Sequence, residues 1–116
     1  MYNRNDRLKE LYKELISTLL REIKDPGLSG FITITDTELA ADRKTVKAYY
    51  SVLGTDSERE RTAQALERAA PYLRELIKKK VTVKTIPNII FTYDNTPKKA
   101  SRIDELLNKL EREKNQ

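Results

Sequence analysis

A large net positive charge is concentrated between residues 68 and 84 of this sequence. Six basic side chains stand there against one acidic residue, Glu75, so the stretch alone carries as much net positive charge as the whole chain, +5. Such side chains neutralise phosphates, and amides at a helix start bind the same group. The alternative is a solvated helix end that interacts only with its own dipole. The predicted RNA-binding residues are Arg68, Arg74, Lys78, Lys79, Lys80 and Lys84.

Other site chemistries find little support in the sequence. It has no cysteine and no histidine, which excludes disulfides, thiol nucleophiles, zinc-finger spacing and imidazole catalysis. The remaining acidic candidates show no acid–base or metal-ligand spacing, and each is better explained as a turn, a cap or a surface charge. We therefore predict a protein that is not an enzyme and has no metal and no cofactor. These candidates are Asp36, Glu38, Asp42, Asp94 and Asp104.

Length and hydropathy limit the architectures that this chain can adopt. A chain of 116 residues is expected to form one domain around one core. No apolar run approaches the roughly 20 residues that a membrane span needs, and the amino terminus lacks the apolar segment of a signal peptide. We therefore expect a cytoplasmic monomer without a membrane segment.

Helical spacing of apolar residues predicts the first helix, which Asp25-Pro26-Gly27 should end. A second helix should start at Ser57, because Glu60 completes a capping-box pattern with it. Pro71 lies within the apolar stripe of this second helix and would cost a continuous helix about 3 kcal/mol. We therefore predict that the helix breaks after Ala70 and that Pro71 begins another helix.

Three stretches have the composition and alternation of strands: "FITITDTEL", "KTVKAYYSVL" and "NIIFTYD". They predict an open antiparallel sheet with helices on one face. On the open face, Lys47 and Tyr49 are candidates for a base or phosphate contact, with ordinary exposed strand positions as the alternative. A last helix is predicted in "SRIDELLNKLEREKNQ". The element order is that of an α+β sandwich.

Six stretches spread over nearly the whole chain match the sequence pattern of one known family. They are "REIKDPGL" (21–28), "ITITDTEL" (32–39), "VKAYYSVLG" (46–54), "ALERAAPYLRELI" (65–77), "FTYDNT" (91–96) and "SRIDELL" (101–107). Together they resemble the bacterial ribosome-binding factor A family, and "SRIDELL" is the most specific of them.

This resemblance implies a KH-like fold of type II, in the order α-β-β-α-kink-α-β with a C-terminal helix. It also implies a cytoplasmic factor that binds the free 30S small ribosomal subunit, assists late 16S rRNA maturation at the 5′ end, and supports growth in the cold. From length and composition we expect one domain at residues 1–108 and a charged, frayed tail at 109–116. The family carries an Ala-x-Gly interhelical kink, whose place Ala69, Ala70 and Pro71 take here.

The departure at Pro71 bears on how RNA would be bound. Without a glycine at that corner, clamping of a single strand should be weak, and docking of a rigid basic surface on folded ribosomal RNA is the favoured mode. Ser101 and Arg102 are weaker candidates for RNA contact. Two alternatives stay open: a general KH-like module for single-stranded RNA, and an adaptor that binds an acidic protein.

Overall fold

The computed structural model describes residues 4–28 and 31–94. Its elements are α1 (Arg4–Leu20), a short 3-10 helix (Pro26–Leu28), β1 (Phe31–Leu39), β2 (Thr45–Leu53), α2 (Asp56–Lys80) and β3 (Asn88–Tyr93). The predicted last helix, with Ser101 and Arg102, and the predicted tail at 109–116 lie outside the described residues. The three strands are those predicted from the sequence.

The sheet has the order β1-β2-β3. Strands β1 and β2 are antiparallel, with a shift of register between Ile34 and Asp36, whereas β2 and β3 are parallel. The prediction of a wholly antiparallel sheet is therefore wrong for β3. The reason is the connection: α2, 25 residues long, runs back along the sheet and returns the chain to the end where β2 began.

The core forms where one face of the sheet meets both helices. Along β2 the alternation predicted from the sequence is present, because Val46, Ala48, Tyr50 and Val52 are buried while Lys47 is exposed. The helices cover this face with side chains that are at most 2% exposed, namely Tyr12, Ile16, Leu19, Leu66, Leu73 and Ile77.

Helix α1 ends at Leu20, earlier than the predicted stop at residues 25–27. The amides of Glu22 and Ile23 donate to the carbonyls of Leu19 and Leu20 at 3.1 and 3.3 Å, which tightens the last turn. Gly27 has another role: its carbonyl accepts from the Thr62 hydroxyl at 3.2 Å, in contact with α2.

Helix α2 begins earlier than the predicted cap. The N-cap is Thr55, whose hydroxyl accepts from the Glu58 amide at 3.2 Å, while the Glu58 carboxylate accepts from the Thr55 amide at 3.2 Å. The prediction of Ser57 with Glu60 as the capping box is therefore wrong, although the type of motif is right. Both pairs have the same spacing in the sequence, and the loop after β2 selects the first.

Helix α2 also continues through Pro71, so the predicted break after Ala70 is wrong. Within the helix Ala69 is buried, Ala70 is half-buried and Pro71 is exposed. The expected second helix, with its own free amides beside Arg68 and Arg74, is therefore not formed.

The physical reason lies in the buried stripe of α2. Leu66 before the proline and Leu73 and Ile77 after it keep helical spacing against the sheet, and each such side chain stabilises by about 1.5–3 kcal/mol when buried. Together they outweigh the roughly 3 kcal/mol cost of an interior proline. Because Pro71 faces solvent, water can bond the Glu67 carbonyl that has lost its amide partner.

Candidate RNA-binding surface

The carboxyl end of α2 presents three consecutive lysines, residues 78–80, which we call the lysine triplet. All three side chains are exposed, and they occupy the last helical turn, where the helix dipole favours cations. The helix stops at Val81, which takes an extended backbone while its amide donates to the Ile77 carbonyl at 3.1 Å. Lys84 follows, also exposed, in the loop that leads to β3.

Three other segments meet this end of α2. The Asn88 amide, at the start of β3, donates to the Lys44 carbonyl at 2.9 Å, which joins the loop after α2 to the β1–β2 turn. In that turn, the Arg43 Nε donates to Asn5 Oδ1 at 2.9 Å, which joins the turn to the start of α1. The fold therefore brings the starts of α1 and β3, the β1–β2 turn and the end of α2 to one pole.

We call this pole the basic end and define it as residues 4–7, 42–44 and 78–84. Within it, eight basic side chains stand against two acidic ones, Asp6 and Asp42. The net charge of the basic end is therefore more positive than the +5 net charge of the whole chain. The remaining residues together carry a slight net negative charge. A field of this kind attracts polyanions. The eight cations are Arg4, Arg7, Arg43, Lys44, Lys78, Lys79, Lys80 and Lys84.

Arg68, predicted as an RNA ligand, lies elsewhere. Its Nη2 lies 3.2 Å from Asp25 Oδ2, in the turn between α1 and β1. The hydrogen bond from the Gly27 amide, together with Arg68, holds the pKa of Asp25 below its ordinary value. Arg68 thus joins α2 to this turn, away from the lysine triplet.

Arg74 is also engaged within the protein. Its Nη2 donates to the Ile86 carbonyl at 3.1 Å, and its Nη1 lies 3.6 Å from Glu75 Oε1. Its Nε is buried without a hydrogen-bond partner among the described residues. The guanidinium therefore holds the loop between α2 and β3 against the helix. Of the six residues predicted from the sequence, the structure places Lys78, Lys79, Lys80 and Lys84 together. Arg68 and Arg74 instead make contacts within the protein.

The open face of the sheet does not resemble a phosphate-binding surface. The Tyr49 hydroxyl donates to Glu38 Oε2 at 2.8 Å, and this bond, with the charges of Asp36 and Asp94 nearby, raises the pKa of Tyr49. Lys47 is exposed and pairs across strands with Glu38. Three carboxylates around one tyrosine repel phosphates, which argues against the contact considered for Lys47 and Tyr49.

The alanine–proline segment at residues 69–71 lies beside a groove of about 690 Å³ between α2 and the edge strand β3. Ala70 and Pro71 line it from the helix, and Ile90 and Phe91 line it from the strand. Glu67, Arg74 and Glu75 also line the groove, so its helix wall carries a small net negative charge.

Sequence reasoning missed Arg4, Arg7, Arg43 and Lys44. These cations lie in segments of mixed charge, and no local pattern links residue 4 to residue 43 or to residue 84. The one unusual feature, the left-handed backbone of Arg43 with φ of 61°, is not visible in the sequence. Only the packing of α1 on the sheet brings these residues together.

Within residues 4–28 and 31–94, no group of three or more acidic side chains is placed to hold a metal ion. In the same part of the chain, no helix has the length and apolar character of a membrane span.

These features define the class of protein: a KH-like α+β domain whose strongest surface feature is a cluster of cations at one end. The family model for ribosome-binding factor A matches residues 4–107, and the chain belongs to this family. This confirms the resemblance that the six sequence stretches carry.

Curated relatives and solved structures agree with this assignment. Ribosome-binding factor A of Halothermothrix orenii is 44% identical over 92% of this chain and 88% of the relative, and that of Geobacter sulfurreducens is 39% identical over 98% and 97%. The crystal structure of ribosome-binding factor A from Thermus thermophilus superposes with a TM-score of 0.69 at 21% identity, covering 78% of this chain and 97% of that one. The predicted KH-like fold is thereby confirmed.

A further similar structure is a homology model of the Thermus thermophilus factor fitted into a cryo-electron microscopy map of its complex with the 30S subunit. It has a TM-score of 0.61 and 20% identity, and covers 74% of this chain and 90% of that one.

Proposed function

We propose that this protein is an assembly factor that binds the free 30S small ribosomal subunit through its basic end. The observation that carries the proposal is the meeting of eight cations from three stretches of the chain at one pole of a ribosome-binding factor A domain. The 30S complex of the Thermus thermophilus factor supports the choice of particle.

The ligand of the basic end is the phosphate backbone of folded 16S rRNA. Exposed lysines on short loops and at a helix end match the spaced phosphates of structured RNA, which proteins recognise mainly by shape and backbone contacts. Such a factor changes the subunit only by its differential affinity for two states. It therefore fits an immature conformation better than the finished one, and in this way assists late maturation at the 5′ end and growth in the cold.

In this proposal the protein acts in the cytoplasm as a monomer. It supplies binding energy and no catalytic group or cofactor, since its role is to stabilise one conformation of the RNA.

Co-sedimentation with purified small subunits tests the proposal. Changing the lysine triplet to glutamate should abolish binding of the variant. A matched control changes Arg21, Lys24 and Arg61 to glutamate; these residues are exposed and lie around the 25–28 turn at the other end. Because both variants alter the net charge equally, retained binding in the control isolates the surface. Equal losses would place the interface elsewhere, and no binding by the wild type would remove the proposal.

The maturation role needs a cellular measurement. In cells that lack the factor, primer extension should detect 16S rRNA with an unprocessed 5′ end, most strongly in the cold. The wild-type chain should restore processing and the lysine-triplet variant should not. Normal 5′ ends at all temperatures in the deleted strain would contradict this role.

The groove between α2 and β3 favours a second candidate, a module that binds single-stranded RNA. Phe91 lines the groove, is half-buried and is of the type that stacks on bases. Glu67 and Glu75 on the helix wall oppose it by repelling phosphates. Tight binding of short unstructured oligonucleotides, unchanged in the lysine-triplet variant, would select this candidate.

A further inference from the structure

A cleft of about 640 Å³ opens at the basic end, between the start of α1 and the loop that follows α2. Three cations from three separate segments line it: Arg4 from α1, Arg43 from the β1–β2 turn and Lys84 from the loop. Asp42 also lines the cleft, and its Oδ1 already accepts from the Lys44 amide at 3.0 Å. The cleft therefore keeps a net positive charge.

Arg43 is placed in this cleft at a measurable cost. Its φ of 61° lies in the left-handed region, which costs an ordinary residue about 1–2 kcal/mol and usually belongs to glycine or asparagine. The bond from its Nε to Asn5 Oδ1 at 2.9 Å fixes the guanidinium, while its two Nη groups form no hydrogen bond or ion pair within the described residues. A strained cation with free donors is typical of a binding site.

Lys84 is placed by the loop that carries it. That loop is held near its carboxyl end by the Arg74 bond to the Ile86 carbonyl at 3.1 Å and by the Asn88 bond to the Lys44 carbonyl at 2.9 Å. At its start, the Val81 amide donates to the Ile77 carbonyl at 3.1 Å. Neither Arg4 nor Lys84 has an ion-pair partner in residues 4–28 and 31–94. These guanidinium and ammonium groups are therefore available to a ligand.

The inner wall of the cleft adds a neutral donor. Tyr12 lines it from the core and is 2% exposed. Burial raises the pKa of Tyr12, while Arg43 opposes this rise; a tyrosine hydroxyl is protonated at neutral pH in either case. A wall with a protonated hydroxyl beside three cations suits an anion that accepts several hydrogen bonds.

We propose that this cleft is a specific site for a phosphate of an RNA backbone, held by Arg43 and Lys84 with Arg4 at the rim. The inference rests on the proposed function and deepens it, because it assigns one fixed phosphate contact within a surface that otherwise binds by diffuse charge. Arg74 then acts as a positioning residue, which holds the Lys84 loop and does not touch RNA.

The first test titrates the isotope-labelled full chain with a short RNA hairpin and follows backbone amides. The amides of residues 43 and 82–85 should shift and saturate together. Arg43→Asn tolerates the left-handed backbone, and with Lys84→Gln it should weaken binding at least about tenfold and lower the salt slope by about one unit per lost contact. Lys44→Gln is the matched control for Lys84→Gln alone: each removes one charge from the same end, but Lys44 lies outside the cleft, so its replacement should weaken binding by less than about threefold.

The outcomes separate the cleft from the wider proposal. Unshifted amides in 82–85, or equal effects of Lys44→Gln and Lys84→Gln, would overturn the cleft and leave binding to the small subunit intact. Shifted and saturating cleft amides, in a wild-type protein that does not sediment with small subunits, would support the cleft and refute the ribosomal role. Thermal unfolding of each variant shows whether a loss of binding reflects a loss of fold.

Discussion

At the scale of single residues, the absence of a side chain at Gly27 is part of the packing. A Cβ built at this position would lie 2.6 Å from the Ala65 Cβ and 3.1 Å from the Arg61 carbonyl oxygen. Gly27→Ala should therefore push the turn away from α2 and lower the free energy of unfolding by about 1–3 kcal/mol. Urea unfolding of the two proteins measures this difference.

The matched control removes the atom that the new methyl group would meet. Ala65→Gly alone should cost about 1 kcal/mol through helix propensity. The double variant with Gly27→Ala should lose less than the sum of the two, because the closest clash is relieved. Additive losses, or an unchanged stability for Gly27→Ala, would contradict the close approach.

The stability that the same turn contributes depends on pH through Asp25. Its folded-state pKa lies below the ordinary value of 3.8, first because of the bond from the Gly27 amide and then because of Arg68. The stability that this carboxylate contributes is therefore fully present above about pH 5 and is lost as the pH falls through the folded pKa. Asp25→Asn should flatten the acid limb of the stability curve measured by denaturant unfolding.

Arg68→Gln separates the two causes. Since the Gly27 amide is the largest single cause and Arg68 acts through both a hydrogen bond and its charge, this variant should keep part of the acid dependence that Asp25→Asn removes. If Arg68→Gln flattened the curve as much as Asp25→Asn, the ion pair and not the turn would control this pKa.

At the scale of elements, α2 shows how core contacts override a local breaker. Pro71 removes one amide donor from the helix, yet the stripe on both sides stays buried. Pro71→Ala restores that donor and should raise the free energy of unfolding by about 1–3 kcal/mol, less than the full cost of proline because the unfolded chain also gains freedom. Pro71→Gly should be about 1 kcal/mol less stable than Pro71→Ala. A less stable Pro71→Ala would show that the packing needs the proline.

The loop between α2 and β3 is held in place by Arg74. Arg74→Leu removes the donor to the Ile86 carbonyl but also the buried Nε without a partner among the described residues, so global stability should change by less than about 1 kcal/mol. Local opening should instead increase, with hydrogen exchange of the Asn88 amide about tenfold faster. Glu75→Gln, which removes only the 3.6 Å ion pair, should leave that exchange unchanged.

Local patterns predicted the elements of this fold better than their connections. The alternation of Val46, Ala48, Tyr50 and Val52 determines which face of β2 is buried. The parallel pairing of β2 with β3 is not a property of either strand, because it depends on how far α2 carries the chain. The cap of α2 was ambiguous for a similar reason, since Thr55 with Glu58 and Ser57 with Glu60 satisfy the same rule.

At the scale of the whole molecule, the basic run located part of the candidate surface but not its extent. Lys78, Lys79, Lys80 and Lys84 are close in sequence and in space, so one stretch of sequence was enough to find them. Arg43 joins them only because α1 and the β1–β2 turn pack at the same pole. Equally, no sequence pattern shows that the guanidinium of Arg74 is occupied by the Ile86 carbonyl.

The concentration of positive charge at one end has a kinetic consequence. A basic pole on an otherwise slightly acidic domain orients the protein as it approaches a polyanion and raises the association rate. In stopped-flow mixing with small subunits at low salt, the lysine-triplet variant should associate at least about tenfold more slowly than the wild type, and the control variant at residues 21, 24 and 61 less than about threefold.

The salt dependence shows whether this difference in association rate arises from long-range electrostatic steering. The gap between the two variants should shrink as salt rises and the screening length falls from about 10 Å at 0.1 M towards about 3 Å at 1 M. A gap that persists at high salt would mean that the triplet acts through short-range contacts after encounter. Equal slowing by both variants would mean that total charge alone governs the encounter, and that the polarity of the molecule has no part in it.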